Sequence, residues 1–232
     1  VRKFLVAAAL LLALAACNTR THQITTTLNR DDGKPPQVVL MPFDMELSVL
    51  SAGGLAEPRA DWTESAKQYL LEAIRSEKAA KNINMVVFQD DTAGAAHQDV
   101  VNQLMKLHGV VGNSILLHQY QPQGSLPSKN GAFEWSIGPS AKTLKQIYKA
   151  DYALFVWVRD SYSSGGRAAL IVVAALAGVA VPGGQQVGFA SLVELETGNV
   201  VWFNLLARGH GDLRSAEGAV NTAQNLLAQL PK

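Results

Sequence analysis

The chain predicts an α/β (α+β) fold, a mixed β-sheet with helices packed on it, finished by a carboxy-terminal β-hairpin and a last helix. Three observations carry this expectation. Short apolar runs at 37–43 (QVVLMPF) and 83–88 (INMVVF) flank an amphipathic stretch, so strand, helix and strand follow in the order of a βαβ crossover. The segment 150–158 (ADYALFVWV) is rich in aromatic and β-branched residues and reads as a strand. Two apolar runs, 187–195 and 200–207, are separated by Glu196-Thr197-Gly198-Asn199, a tight-turn sequence.

The first segment is an address. Arg2 and Lys3 precede an apolar stretch over residues 5–16 that stops at Cys17, the only cysteine among 232 residues. It is shorter than the roughly 20 residues of a spanning helix, and its basic start and small-residue end have the form of a secretory signal. The sequence Leu14-Ala15-Ala16-Cys17 resembles the lipobox of bacterial lipoproteins. The resemblance implies cleavage before Cys17, a diacylglyceryl thioether on its sulfur and a palmitate-type acyl group on the new amino terminus. Asn18 stands where an Asp would resemble an inner-membrane retention signal, so the implied location is the periplasmic face of the outer membrane. With residues 1–16 removed, Lys+Arg falls from 20 to 18 against 19 Asp+Glu, a net charge near −1 that implies no nucleic-acid partner. An acylated Cys17 leaves no thiol for a disulfide, a nucleophile or a metal.

Residues 17–36 are polar, Thr-rich and without apolar periodicity, and read as a lipidated flexible tether. Residues 37–232 then form a single periplasmic α/β domain. Its first strand closes at Pro42, and 44–60, with Gly53-Gly54 and Pro58, reads as a loop. Asp61-Trp62-Thr63-Glu64 has the form of a capping box ahead of a helix whose face is Trp62, Ala66, Tyr69, Leu70, Ala73 and Ile74. Val100, Val101, Leu104, Leu107 and Val111 mark a second helix continuing towards Leu117. Residues 121–139 read as a long surface loop, 140–149 as a short helix and 212–230 as the last helix, with Asp212 as its cap and Leu213, Ala216, Val220, Ala223 and Leu227 as its stripe.

The strand QVVLMPF, the strand ADYALFVWV behind a helix, and the hairpin ASLVELETGNVVW together resemble pieces of a group of periplasmic lipoprotein domains. The group includes the curli secretion lipoprotein, the lipoprotein activators of penicillin-binding proteins and the amino-terminal domain of TolB. The resemblance implies a mixed sheet with packed helices, serving assembly or interaction in the envelope rather than catalysis. Two segments depart from that pattern, the loop 121–139 and the run 168–181.

That run, 14 residues without a charge, lies between Gly165-Gly166-Arg167 and Pro182-Gly183-Gly184. It is too short to cross a bilayer and apolar on every side. The first reading is a core helix between Gly-rich hinges; a surface for another protein or a second copy, and a segment dipping into the membrane, are the alternatives. The histidines at 22, 97, 108, 118 and 210 lack ligand spacing, with His108 and His118 expected as surface or half-buried residues rather than ligands, and no cofactor motif occurs. Asp90-Asp91 could sit at a strand carboxyl end, where α/β proteins bind ligands. The expectation is therefore a non-enzymatic, outer-membrane-anchored module. It reaches the membrane through lipid on Cys17 and contacts an envelope protein or its own copies through 168–181 or the loop around Trp135. A small envelope hydrolase or ligand-binding lipoprotein using Asp90 and Asp91, and a ring- or pore-forming secretion lipoprotein, are the competing readings.

Overall fold

The computed structural model describes residues 18–23, 28, 34–77, 83–89, 95–209 and 211–231. The strands are β1 (Asn18–Gln23), β2 (Gln37–Leu40), β3 (Asp44–Leu50), β4 (Ala56–Pro58), β5 (Asn84–Val87), β6 (Tyr152–Ser163), β7 (Gln186–Glu194) and β8 (Val200–Arg208). The helices are α1 (Ala60–Ser76), α2 (Ala95–Gln119), α3 (Lys142–Tyr148), α4 (Gly165–Leu176) and α5 (Ala216–Leu226). Among the described residues, all eight strands form one mixed sheet in the order β1-β8-β7-β6-β2-β5, with β3 beside β6 and β4 beside β3.

The sheet is built around β6. Its first half pairs in parallel with β2 and its second half with β3, register Asp44↔Trp157 to Leu50↔Ser163. Pro42, which has no N–H to give, separates the two partners, while the Met41 N–H still reaches Leu154 O at 2.9 Å. The expected loop at 44–60 is therefore wrong. Asp44-Met45-Glu46-Leu47-Ser48 alternates polar and apolar residues as a strand does, burying Met45 and Leu47, and β4 returns along it. The βαβ expectation holds, since β2, α1 and β5 form a parallel crossover into which β3 and β4 are inserted.

The hairpin β7–β8 stands as expected, antiparallel from Gln186↔Arg208 onward. Its turn needs Gly198, whose φ is +78° and where a Cβ would lie 2.0 Å from Gly138 O. The loop 121–139 contains short 3-10 turns and is knitted to that turn: Val200 N–H donates to Trp135 O at 2.8 Å, and Ile137 N–H to Gly198 O at 2.9 Å.

Helices cover both faces. On one, α1 and α5 bring Leu70, Ile74, Ala223 and Leu226 onto Leu40, Val156, Leu192 and Trp202. On the other, α2 and α3 bring Val101, Leu104 and Leu144 onto Val39, Phe155, Phe189 and Phe203. Two helix starts differ from expectation. Asp61 makes a two-point ion pair with Arg59 (3.0 and 2.8 Å) and Glu64 pairs with Lys67, so no capping box forms; Thr63 Oγ1 accepts from Leu47 N–H instead. Asp212 is likewise held by Arg214, and Ser215 caps α5 by accepting from Gly218 N–H. The buried stripe of α5 is Ala219, Thr222, Ala223 and Leu226, with Ala216 and Val220 exposed.

The tether expectation for 17–36 fails over residues 18–23. They are β1, antiparallel to β8 with Asn18 opposite Ala207, and Thr21 Oγ1 donates to Asn204 Oδ1 at 2.7 Å. A Thr-rich edge strand needs only a backbone ladder on one side, so it shows no apolar alternation. The signal segment 1–16 and Cys17 lie outside the described residues.

Candidate interaction surface

Helix α4 is defined at both ends by its own sequence. Ser164 caps it by accepting from Arg167 N–H at 3.2 Å. At its other end Gly178 takes φ +76°, Gly178 N–H reaches Ala175 O and Val179 N–H reaches Ala174 O, the paired bonds of a glycine-terminated helix. The root is clamped by Arg167, which turns inward and is 9% exposed. Its guanidinium donates twice to Pro182 O (3.1 and 2.8 Å) and once to Ala52 O (3.2 Å). Ser164 N–H also donates to Leu50 O, so the β3–β4 turn and the root of α4 are bonded together.

Beyond the root the helix faces water. Leu170 is 42% exposed, Val172 62%, Val173 63% and Leu176 85%, while Leu55 on the adjoining turn is 70% exposed. Arg167 is the one buried residue of α4. The expectation that 168–181 is a core helix is thereby overturned. Both sheet faces are already filled by α1, α5, α2 and α3, and a helix without a polar side has no preferred way to seat on what remains. The other expected contact element, the loop around Trp135, is half-buried at that ring, which stacks on His118 and lies under the Lys129 ammonium at 4.4 Å. Trp135 seals the end of α2.

Two buried polar clusters were not foreseen. His108 is 2% exposed, neither at the surface nor half-buried as expected. It lies against Phe155 with ring centroids 4.5 Å apart and meets Ser191 Oγ at 2.7 Å. Burial pushes its pKa down to about 3, so the ring is neutral. Asp160, 1% exposed, accepts from Tyr162 Oη at 2.6 Å and Gln186 Nε2 at 2.7 Å, and Gln186 passes the contact on to Arg208 at 2.7 Å. Desolvation raises the Asp160 pKa against those hydrogen bonds, and desolvation with the adjoining carboxylate raises that of Tyr162. The only hint in the sequence is the continuation of the 150–158 strand through alternating residues to Ser163.

A cleft of about 300 Å³ lies at the carboxyl ends of β2 and β5, lined by Leu40, Met41, Phe43, Lys67, Leu71 and Phe88. Asp90 and Asp91, the carboxylates expected near such a position, lie outside the described residues, as does His210. Among the described residues no group of three His, Cys, Asp or Glu could hold a metal ion, and no helix is long and apolar enough to cross a membrane.

Fold and surface together define a three-layer α/β domain with an apolar projection at one end of its sheet. No family model and no curated protein matches the chain. Among solved structures, the PelC dodecamer from Paraburkholderia phytofirmans is similar at 13% identity and TM-score 0.43, covering 93% of this chain and 98% of that one. The LpoB C-terminal domain from Salmonella enterica is similar at 16% identity and TM-score 0.28, covering 76% and 85%. A lipoprotein from Neisseria meningitidis is similar at 15% identity and TM-score 0.29, covering 84% and 99%. At these TM-scores the likenesses identify no family, and the surface is read from this chain's own residues.

Proposed function

We propose that the protein is a lipoprotein held by acyl chains on Cys17 at the periplasmic face of the outer membrane, working as a non-enzymatic interaction module of the envelope. The observation that carries this reading is α4, an apolar helix with its own caps and an arginine clamp, held outside the core and available for contact. A domain whose partner is only water gains nothing from exposing Leu170, Val173 and Leu176 on a braced support. The lipobox-like Leu14-Ala15-Ala16-Cys17 supports the anchor, and the strand β1 directly behind it supports an anchor close to the folded domain. Labelled palmitate should enter the wild-type protein and follow it into the outer-membrane fraction. Cys17→Ser should abolish both, and palmitate in that variant would refute the anchor. A deletion phenotype should be complemented by Asp90→Asn with Asp91→Asn but not by Leu170→Ser with Val173→Ser and Leu176→Ser; the reverse pattern would favour catalysis.

A further inference from the structure

The strand behind Cys17 and the apolar helix leave the sheet at the same end. Register fixes this: Asn18 lies opposite Ala207, Ala207 opposite Val187 and Val187 opposite Arg159. β6 continues from Arg159 to Ser163, roughly 13 Å at the usual strand rise, and α4 starts at Gly165. β3 runs parallel to β6 and ends at Leu50 opposite Ser163, so the turn that carries Leu55 projects from this end as well. Three strand spacings, roughly 14 Å, separate the Asn18 and Arg159 positions across the sheet. Cys17 is one peptide bond from Asn18, a Cα spacing of about 3.8 Å.

From this juxtaposition we infer that α4 and Leu55 are covered by the bilayer that receives the acyl chains of Cys17, making a second attachment from side chains alone. The inference rests on the lipid-anchor reading. Its chemistry fits a lipid surface. No Asp, Glu, Lys or Arg occurs from 168 to 193, and the one cation at the root, Arg167, is spent on Pro182 O and Ala52 O. A protein interface carries a polar rim that sets its register, and α4 beyond Arg167 offers none. At roughly 1.5 Å per residue the twelve-residue helix is about 18 Å long, too short for a hydrocarbon layer of about 30 Å, so it lies within one leaflet. Without cations it needs no anionic lipid, and its attachment is insensitive to salt.

The test uses the full lipidated chain in phosphatidylcholine vesicles, with a bimane fluorophore on Leu176→Cys and, as the control, on Leu117→Cys of α2. Acylation blocks Cys17, so wild-type protein should take up no label. Bimane at 176 should be quenched several-fold more by doxyl-labelled lipid than at 117 and less by iodide, unchanged by added phosphatidylglycerol or high salt. A label at 176 shielded from iodide but untouched by doxyl lipid would mean that protein covers α4. That result overturns the inference and leaves the contact-module reading standing. A label open to iodide and untouched by lipid overturns both. Bimane on wild-type Cys17 would remove the anchor, and the inference with it.

Discussion

Helices α4 and α5 are nearly the same length, twelve and eleven residues, and the more apolar of the two is the one left outside the core. α5 carries Asn221, Asn225 and Glu217 yet buries Ala219, Thr222, Ala223 and Leu226. α4 is Ala, Val, Leu and Ile from residue 168 on and buries Arg167. Packing onto a sheet selects a helix with one apolar stripe, because the opposite side must still meet solvent. A helix apolar all round satisfies that condition nowhere on the surface of a domain already covered on both faces.

The sharpest way to break the contrast is truncation at equivalent depth along the two helices. Leu226→Ala, at a fully buried position, should cost about 2–5 kcal/mol in urea unfolding, whereas Leu176→Ala should stay within about 0.5 kcal/mol. Equal costs would mean that α4 packs against the body after all.

Titration extends the contrast, since α4 beyond Arg167 has no ionisable group while the packed layers hold His108 and Asp160. With the folded His108 near 3 and an unfolded value of about 6.5, the unfolded chain binds the extra proton in between. Stability should therefore fall as pH drops through that window, by up to about 1.4 kcal/mol per unit. Asp160 acts oppositely: its raised folded value makes stability fall as pH climbs from the ordinary carboxylate range through that value. His108→Phe with Ser191→Ala should flatten the first slope and Asp160→Asn the second, read from urea midpoints across pH. An unchanged acid limb in the first variant would show that His108 is not the group responsible.

Glycines sharpen the comparison further. At Gly112, on the packed face of α2, a Cβ would lie 2.1 Å from the Phe189 ring, and Gly112→Ala should cost about 1–3 kcal/mol. At Gly165 a Cβ meets nothing within 4 Å, and Gly165→Ala should be neutral or gain up to about 1 kcal/mol by restricting the unfolded chain. Both are read from thermal or urea midpoints, and a loss at Gly165 like that at Gly112 would contradict the open placement of α4.

A smaller effect tests the root. Arg167→Ala removes three hydrogen bonds to Pro182 O and Ala52 O, at about 1–2 kcal/mol, with faster amide exchange confined to α4 and the turn after Leu50. Exchange that quickened throughout the sheet would make Arg167 a core residue rather than a clamp.

What was legible in the sequence follows the same division. The hairpin, β6 and the crossover were readable because period and turn chemistry are local. The alternation Asp44-Met45-Glu46-Leu47 was equally local, but glycines and a proline downstream made the whole stretch look like a loop. The apolar run stood out in the sequence as a possible contact, whereas its exposure depends on whether other helices have filled the sheet, which no local pattern encodes. Leu55 joins the surface only because β3 lies parallel to β6. Neither Asp61 nor Asp212 caps its helix, because Arg59 and Arg214 compete for the same carboxylates and hold them in ion pairs.

The edge strand β1 also has a mechanical meaning. Its six residues are bonded side by side to β8, and any tension from Cys17 along the strand axis enters at Asn18. Such a pull loads the rungs of the ladder together in shear instead of opening them singly from one end like a zipper. Were the domain held through Cys17 as proposed, it would resist being peeled from its first residue, and its weakest response to load would come from a sideways tug across the sheet.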